Sequence, residues 1–475
     1  MPSLLVRHCI TFSLALLLVW MWNATAAQNP SSSGVAQPLA TPELPPAVYL
    51  PLMGFASLAQ PLLETGPLVG AVSDSIAVVM ARASFTSPVR LVYSTDPLFV
   101  TNIFSTEQSL TLAANDYTVR VPLLGLQPAT TYYYKVVVNG QPYPVTGLPR
   151  FTTFPLTETV TNFSFAVVSD LSSDPTAHAQ AYASAANDAP AFVLQTGDFD
   201  HSNPATVAPL SIENWQVMHR NVLHDMKSGQ DFAHYLGPAF PFFHIWDDHD
   251  YGANNADRTA PWKDLATQAF REYYPLPPLP EPESGLWYSF RYAQAEFFLL
   301  DLRSQRDPDD WPDGPNHSML DGADLPVGQK KWLKASLLAS TARWKFIISS
   351  SVWNPHSKQA DSWYQFQYEQ NELVSFIRNN NITGVIILSG DLHSGGAIDD
   401  GANSYFPELS VPTTNIDQQG TCTGDFCGTW SVGLIDPANT VPSGYALVTV
   451  LTNTVTLQAK GQAGDIRLEY TVRLP

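Results

Sequence analysis

Cysteine is nearly missing from this chain, with three among 475 residues. Cys9 falls in an opening segment that reads as a cleaved leader, so the remaining chain keeps Cys422 and Cys427, in "CTGDFC". In an exported chain, two neighbouring cysteines point to a local disulfide rather than a redox pair or half a zinc site. Basic residues are also scarce: Lys and Arg total 24 against 43 Asp and Glu, a formal charge of −19. That balance argues against a nucleic-acid partner, because phosphate backbones bind basic faces. The only long apolar run, Ile10 to Trp22, is short for a bilayer span. There is no G-x-S-x-G elbow, no Walker loop and no repeat of fixed period.

Residues 1–27 have the layout of a secretory signal: Arg7 and His8, the apolar run, then a small-residue cleavage site. The sequence therefore predicts a secreted, extracellular or periplasmic protein with no membrane span in its mature form. Residues 28–48 are rich in Pro, Ser and Ala without apolar periodicity, the composition of a disordered linker. From 49 to 155, short alternating segments such as "TYYYKVVVNG" are broken by Gly, Pro, Asp and Asn, which predicts an all-β sandwich. In "LQPATTYYY", Leu126, Pro128, Thr130 and Tyr132 resemble the tyrosine corner of fibronectin type III domains.

After Pro155 the pattern changes. The runs "FSFAVVS", "AFVLQTG", "FPFFHIW", "FFLL", "KFIISS" and "VIILSG" lack polar alternation, as expected of strands covered on both faces. Aspartates follow most of them: Asp170, Asp198, Asp247, Asp301 and Asp391. Helical spacing runs through Trp332, Leu333, Leu337 and Leu338 and again through "YEQNELVSFIRNN". The end of the chain reads as a set of hairpins. Open α/β sheets bind ligands beyond the carboxyl ends of their strands, so the acidic punctuation predicts one shared site.

The densest part of that punctuation is "FPFFHIWDDHDYGANNAD", where Asp247, Asp248, His249 and Asp250 end an apolar run. Desolvated carboxylates repel one another unless a cation or donors hold them. An aspartate after a strand is often an Asx-turn or a helix cap. Caps alone give no reason for histidines at fixed offsets, however, and His201, His249 and His393 accompany Asp198, Asp248 and Asp391. Such a set can ligate hydrolytic metal ions. His219, His224 and His234 read as structural histidines beside Trp215 and Met218, and "DPDDWPDGPNHSMLDGAD" reads as a solvated loop.

"SDLSSD", "TGDFDHSN", "WDDHDYGANNAD" and "SGDLHSGG", in this order, resemble the metallophosphoesterase superfamily, and within it the PhoD-type alkaline phosphatase and phosphodiesterase group. "LLDLRSQR" and "GQKKWLKASLLASTARWKFIISSSVW" resemble the same group. The resemblance implies an α/β (α+β) metallophosphoesterase sandwich over 156–475, two β-sheets flanked by helices, preceded by the fibronectin-III-like domain. It implies a metal-dependent hydrolase acting on small phosphate mono- or diesters. Carried over residue by residue, it implies two or more metal ions bridged by Asp198, with Asp170, His201 and His393 on the first and Asp248 and Asp391 on the second. His249 would assist the leaving oxygen, Asp250 would orient its ring, and Arg303 would contact a phosphate oxygen or brace the site by pairing with Asp301.

The chain departs from the family pattern at Ser172, where a ligand histidine is usual, and at Asp248, where asparagine is usual. His356 could loop back to complete the shell. The resulting oxygen-rich set predicts Ca, Mg, Mn or Fe rather than zinc. The same departures motivate an alternative, an exported cation-binding or adhesion protein on a phosphatase frame that has lost turnover.

Overall fold

A computed structural model describes residues 62–474, apart from 144–148, 158, 172–178, 224–231, 323–327, 415–423 and 436–442. The leader and the Pro-rich linker read from the sequence lie outside these residues, as do Ser172, His224 and Cys422. Cys427 is disulfide-bonded. Among the described residues, no helix is long and apolar enough to cross a membrane.

Two large mixed sheets form the body of the protein. The nine-stranded sheet runs Ile466–Arg473, Thr454–Gly461, Gly444–Val450, Phe163–Val168, Val193–Gln195, Phe242–His244, Leu63–Gly70, Ile76–Ala83 and Thr118–Leu124. Its centre is parallel, with Val193 opposite both Ala166 and Phe242. The seven-stranded sheet runs Tyr288–Tyr292, Ala295–Leu299, Trp344–Ser349, Val385–Ser389, Glu408–Ser410, Ala397–Asp399 and Gly433–Leu434. It is also parallel through its middle, where Ile347 faces Phe297's neighbour Phe298 and also Ile387. The unalternating apolar runs are these central strands, and Trp344–Ser349 and Val385–Ser389 are buried along their whole length.

Phenylalanines from both sheets fill the space between them. Phe243 stacks on Phe290 at 3.8 Å between ring centroids, Phe290 on Phe297 at 4.7 Å, and Phe297 on Phe346 at 4.9 Å. Phe165 meets Phe297 and Phe346 edge-on. Each such pair contributes about 0.5–1.5 kcal/mol beyond its buried area, so this column locks the sheets in register.

The predicted helices are present at Gln329–Ala339 and Gln367–Asn379. Leu333 and Leu337 point inward while Leu338 stays exposed, as a 3.6-residue period requires. Trp215, Met218 and His219 are buried in the helix Ile212–Leu223. The C-terminal hairpins add three antiparallel strands to one edge of the nine-stranded sheet.

Among the described residues before Pro155, every regular element is a β-strand apart from one 3-10 turn. A smaller sheet contains Pro88–Ser94 and Thr131–Val138, whose alternating burial is that of a half-covered strand. The hydroxyl of Tyr132 accepts the backbone N–H of Gln127 at 2.9 Å, closing the corner suggested by "LQPATTYYY". The segment also contributes to the larger body. Gly70 pairs in parallel with Phe242, so Leu63–Gly70, Ile76–Ala83 and Thr118–Leu124 extend the nine-stranded sheet.

Candidate metal centre

The carboxyl ends of the central strands of both sheets meet at one place. Asp170 follows Phe163–Val168, Asp198 follows Val193–Gln195, Asp247 and Asp248 follow Phe242–His244, and Asp391 follows Val385–Ser389. Asp170, Asp198, Asp391 and His393 adopt φ angles of 51°, 53°, 62° and 55°, the left-handed region that non-glycine residues rarely occupy. Such conformations cost about 1–3 kcal/mol each and cluster at functional sites. Gly197 permits the close approach: a Cβ there would lie 2.6 Å from that of Asp247. A Cβ on Gly390 would likewise meet Ser169 Oγ at 2.7 Å.

Three overlapping groups of potential ligands result, each with its donor atoms within 4.8 Å of one another: Asp170, Asp198, Asp391 and His393; Asp198, Asp247 and Asp248; Asp198, His201 and His249. Asp198 belongs to all three. Among the described residues, Asp170 Oδ1 and Asp198 Oδ2 are buried without a hydrogen-bond partner. Orphaned buried acceptors are costly, and a cation would satisfy these two, so the residues present fit a metal ion. His393 Nε2 stands 3.5 Å from Asp170 Oδ1 and 3.6 Å from Asp391 Oδ1.

The electrostatics agree with that fit. Burial, together with the charges of Asp248, Asp247, Asp250 and Asp170, pushes the Asp198 carboxyl well above its usual range. Burial likewise drives Asp391 up despite Lys358. For His393, burial would lower the proton affinity, but the carboxylates of Asp170 and Asp391 outweigh it and raise the pKa to about 9. The chain alone therefore leaves an excess of negative charge that protons must relieve when no metal does.

Several residues take positions other than those expected. Asp391 groups with Asp170 and His393 rather than with Asp248, and one of its oxygens is ion-paired to Lys358. His201 groups with Asp198 and His249. Its Nδ1 lies 2.6 Å from the carbonyl of Leu171, and its Nε2 3.4 Å from Asp198 Oδ2. Asp250 does not orient His249: its oxygens accept the backbone N–H groups of Phe199 at 2.8 Å and Asp247 at 3.1 Å. Successive residues of the short helix Asp248–Tyr251 point about 100° apart, so Asp250 turns inward as His249 turns out. The ring is held instead by Asn203, whose Oδ1 lies 2.8 Å from His249 Nδ1. Burial lowers the His249 pKa to about 4, so its Nε2 carries a lone pair at neutral pH.

Arg303 is fully buried, and its guanidinium is taken up by two carboxylates. Its Nε and Nη2 donate to Asp247 at 2.5 and 2.8 Å, and its Nη1 and Nη2 to Asp361 at 2.6 and 2.9 Å. These bonds make a two-carboxylate clamp. Asp301 is not its ion-pair partner: that carboxylate binds Trp246, Leu286 and Ser304, and receives only the Arg303 backbone N–H. His356 is exposed and outside the three groups. Sequence reasoning missed Asn203, Lys358 and Asp361. Asn203 sits inside a quoted motif, whereas the other two lie in a polar loop, "SKQADSW", with no local signal.

Residues 165–420 match the family described as PhoD-like phosphatase, and residues 53–155 match its N-terminal domain. Alkaline phosphatase D of Bacillus subtilis is 28% identical over 239 residues, covering 43% of this chain and 39% of that protein. The match thus spans well under two thirds of that relative. The solved structure of PhoD superposes with a TM-score of 0.67 at 19% identity, covering 86% of this chain and 89% of that one. A purple acid phosphatase from yellow lupin seeds gives 0.58 at 12% identity, covering 87% and 74%. At these identities the two structures speak for the fold alone.

Proposed function

Because the chain belongs to the PhoD-like phosphatase family, we propose that it is a metal-dependent phosphoesterase that hydrolyses small phosphate mono- or diesters. The observation that carries this reading is the convergence of Asp170, Asp198, Asp391 and His393 on one point, with Asp170 Oδ1 and Asp198 Oδ2 buried and, among the described residues, unsatisfied. The similarity to alkaline phosphatase D of Bacillus subtilis supports the reaction class. Cations bound there would lower the proton affinity of a water and draw charge from phosphoryl oxygens. Carboxylates dominate the set, which favours Ca, Mg, Mn or Fe over zinc.

In this reading Asp170, Asp198, Asp391 and His393 would hold a cation, with Asp248 beside them next to Asp198. Asn203 fixes the His249 ring so that Nε2 addresses the cleft. An arriving phosphate raises the proton affinity of that nitrogen, so that His249 takes up a proton from solvent and would then give it to the departing oxygen. Arg303 and Asp250 hold the helix Asp248–Tyr251 and Asp247 in place rather than touching substrate.

The test is hydrolysis of p-nitrophenyl phosphate and bis(p-nitrophenyl) phosphate before chelation, after it, and after metal return. Activity should vanish on chelation and come back with metal. Undiminished hydrolysis by the metal-free protein contradicts the proposal, and bound metal without any hydrolysis would favour the cation-binding alternative. Secretion and a fibronectin-III-like N-terminal domain belong to the same proposal. They are supported by the leader-like opening segment and by the Tyr132 corner. Cell fractionation with N-terminal sequencing of the mature protein tests the first, and an experimental structure of the full chain, read over residues 49–155, the second.

A further inference from the structure

We propose that Lys358 takes the place of a second metal cation between Asp248 and Asp391, so that this centre holds one ion, in the group of Asp170, Asp198, Asp391 and His393. The inference rests on the metal-centre reading above and deepens it.

The Lys358 ammonium is ion-paired to Asp391 Oδ2 and lies 3.7 Å from Asp361 Oδ2. Arg303 Nη2 reaches the same edge, 3.8 Å from Asp391 Oδ2 and 3.9 Å from Asp248 Oδ1. A divalent ion shared by Asp248 and Asp391 would sit against two permanent positive charges in a buried setting, where Coulomb repulsion is little screened. On the opposite edge, among the described residues, no lysine or arginine pairs with Asp170 or Asp198, whose Oδ1 and Oδ2 respectively are buried there without a hydrogen-bond partner. The organic cations fill one side of the site and leave the other for a metal.

Lys358 is built into this position rather than resting there. Its backbone is left-handed, with φ of 42°, and its N–H donates to the carbonyl of Phe426 at 2.8 Å. The preceding Ser357 hydroxyl donates at 2.6 Å to the carbonyl of the disulfide-bonded Cys427. Ser362 Oγ donates to the Lys358 carbonyl, which closes the loop from the other side. A compact ammonium on a pinned loop supplies charge but only donor contacts, so it can neutralise Asp391 without ligating a water.

Wild type, Lys358→Met, Lys358→Gln and Lys358→Arg are stripped of metal, titrated with Mn²⁺ by calorimetry and analysed for bound manganese. Circular dichroism checks that each is folded. One equivalent is expected in wild type and Lys358→Arg, and two in the neutral variants. Two equivalents in wild type, or one in all four proteins, overturns the role of Lys358 while leaving the metal centre in place. No binding by wild type overturns the metal-centre reading, and this inference with it.

Discussion

Replacing Arg303 with leucine isolates the clamp that the sequence did not reveal. The guanidinium makes paired hydrogen bonds to both Asp247 and Asp361 and is 0% exposed. Removing one partner of a buried ion pair costs about 3–5 kcal/mol, because the other charge is left uncompensated. Here the loss falls at the lower end. Asp361 keeps Arg306 Nη1 at 2.8 Å, and Asp247 keeps Ser350 Oγ at 2.7 Å. About 3 kcal/mol is expected, on the order of a hundredfold in the folded-to-unfolded ratio.

Urea unfolding followed by tryptophan fluorescence, with chelator present so that metal binding does not contribute, measures it. The pH dependence has a definite sign. Burial would raise the Asp361 carboxyl, but Arg303, Arg306 and Lys358 hold it far below its usual range. Its contribution is therefore present above the unfolded value of about 3.9 and is lost as pH falls through the folded value. In the variant, acid instead relieves the unpaired carboxylates, so the gap between the two proteins narrows below about pH 4. A difference under about 1 kcal/mol at pH 7, or a gap that widens in acid, would refute the clamp.

Three further outcomes follow from the same geometry. His249→Ala should lower kcat by about 10²–10⁴-fold with a smaller change in KM, and Asn203→Ala should lower it less; an unchanged rate in His249→Ala removes that residue from catalysis. Because His393 must lose a proton held up to about pH 9 before it can ligate, Mn²⁺ affinity should climb with pH from 6 toward 9 and then level, by at most about tenfold per pH unit; calorimetry across that range giving a flat profile would count against His393 as a ligand. Tyr132→Phe should destabilise the N-terminal sheet by about 1 kcal/mol through loss of the Gln127 contact, read by urea unfolding, and no shift would mean the corner contributes nothing there.

What was legible in the sequence was local. An apolar run ending in aspartate marks a buried strand and its carboxyl end, and so the sequence points Asp170, Asp198, Asp248 and Asp391 to one site. The Tyr132 corner and the helix at Gln329–Ala339 were legible for the same reason, since their contacts or periods span a few residues. What escaped depends on distant pairings. Arg303 meets Asp361 across 58 positions and Asp247 across 56, so nothing near Arg303 announces that its fork is occupied. The parallel pairing of Gly70 with Phe242, which makes the early strands part of the larger sheet, is equally non-local.

Adjacency also misleads in one instructive way. Asp250 stands next to His249 in the chain, yet the helical turn between them sends one inward to cap and the other toward the cleft. The ring partner, Asn203, arrives from 46 positions away. The division of ligands among cations depends on which way each carboxylate rotates, which no local sequence pattern fixes.

Anomalous diffraction from crystals of manganese-loaded protein tests the central claim most directly. The account predicts a peak about 2.0–2.6 Å from oxygens of Asp170, Asp198 and Asp391 and from His393 Nε2. A folded, manganese-soaked crystal with no peak among these four residues, or with its only strong peak elsewhere, would contradict it.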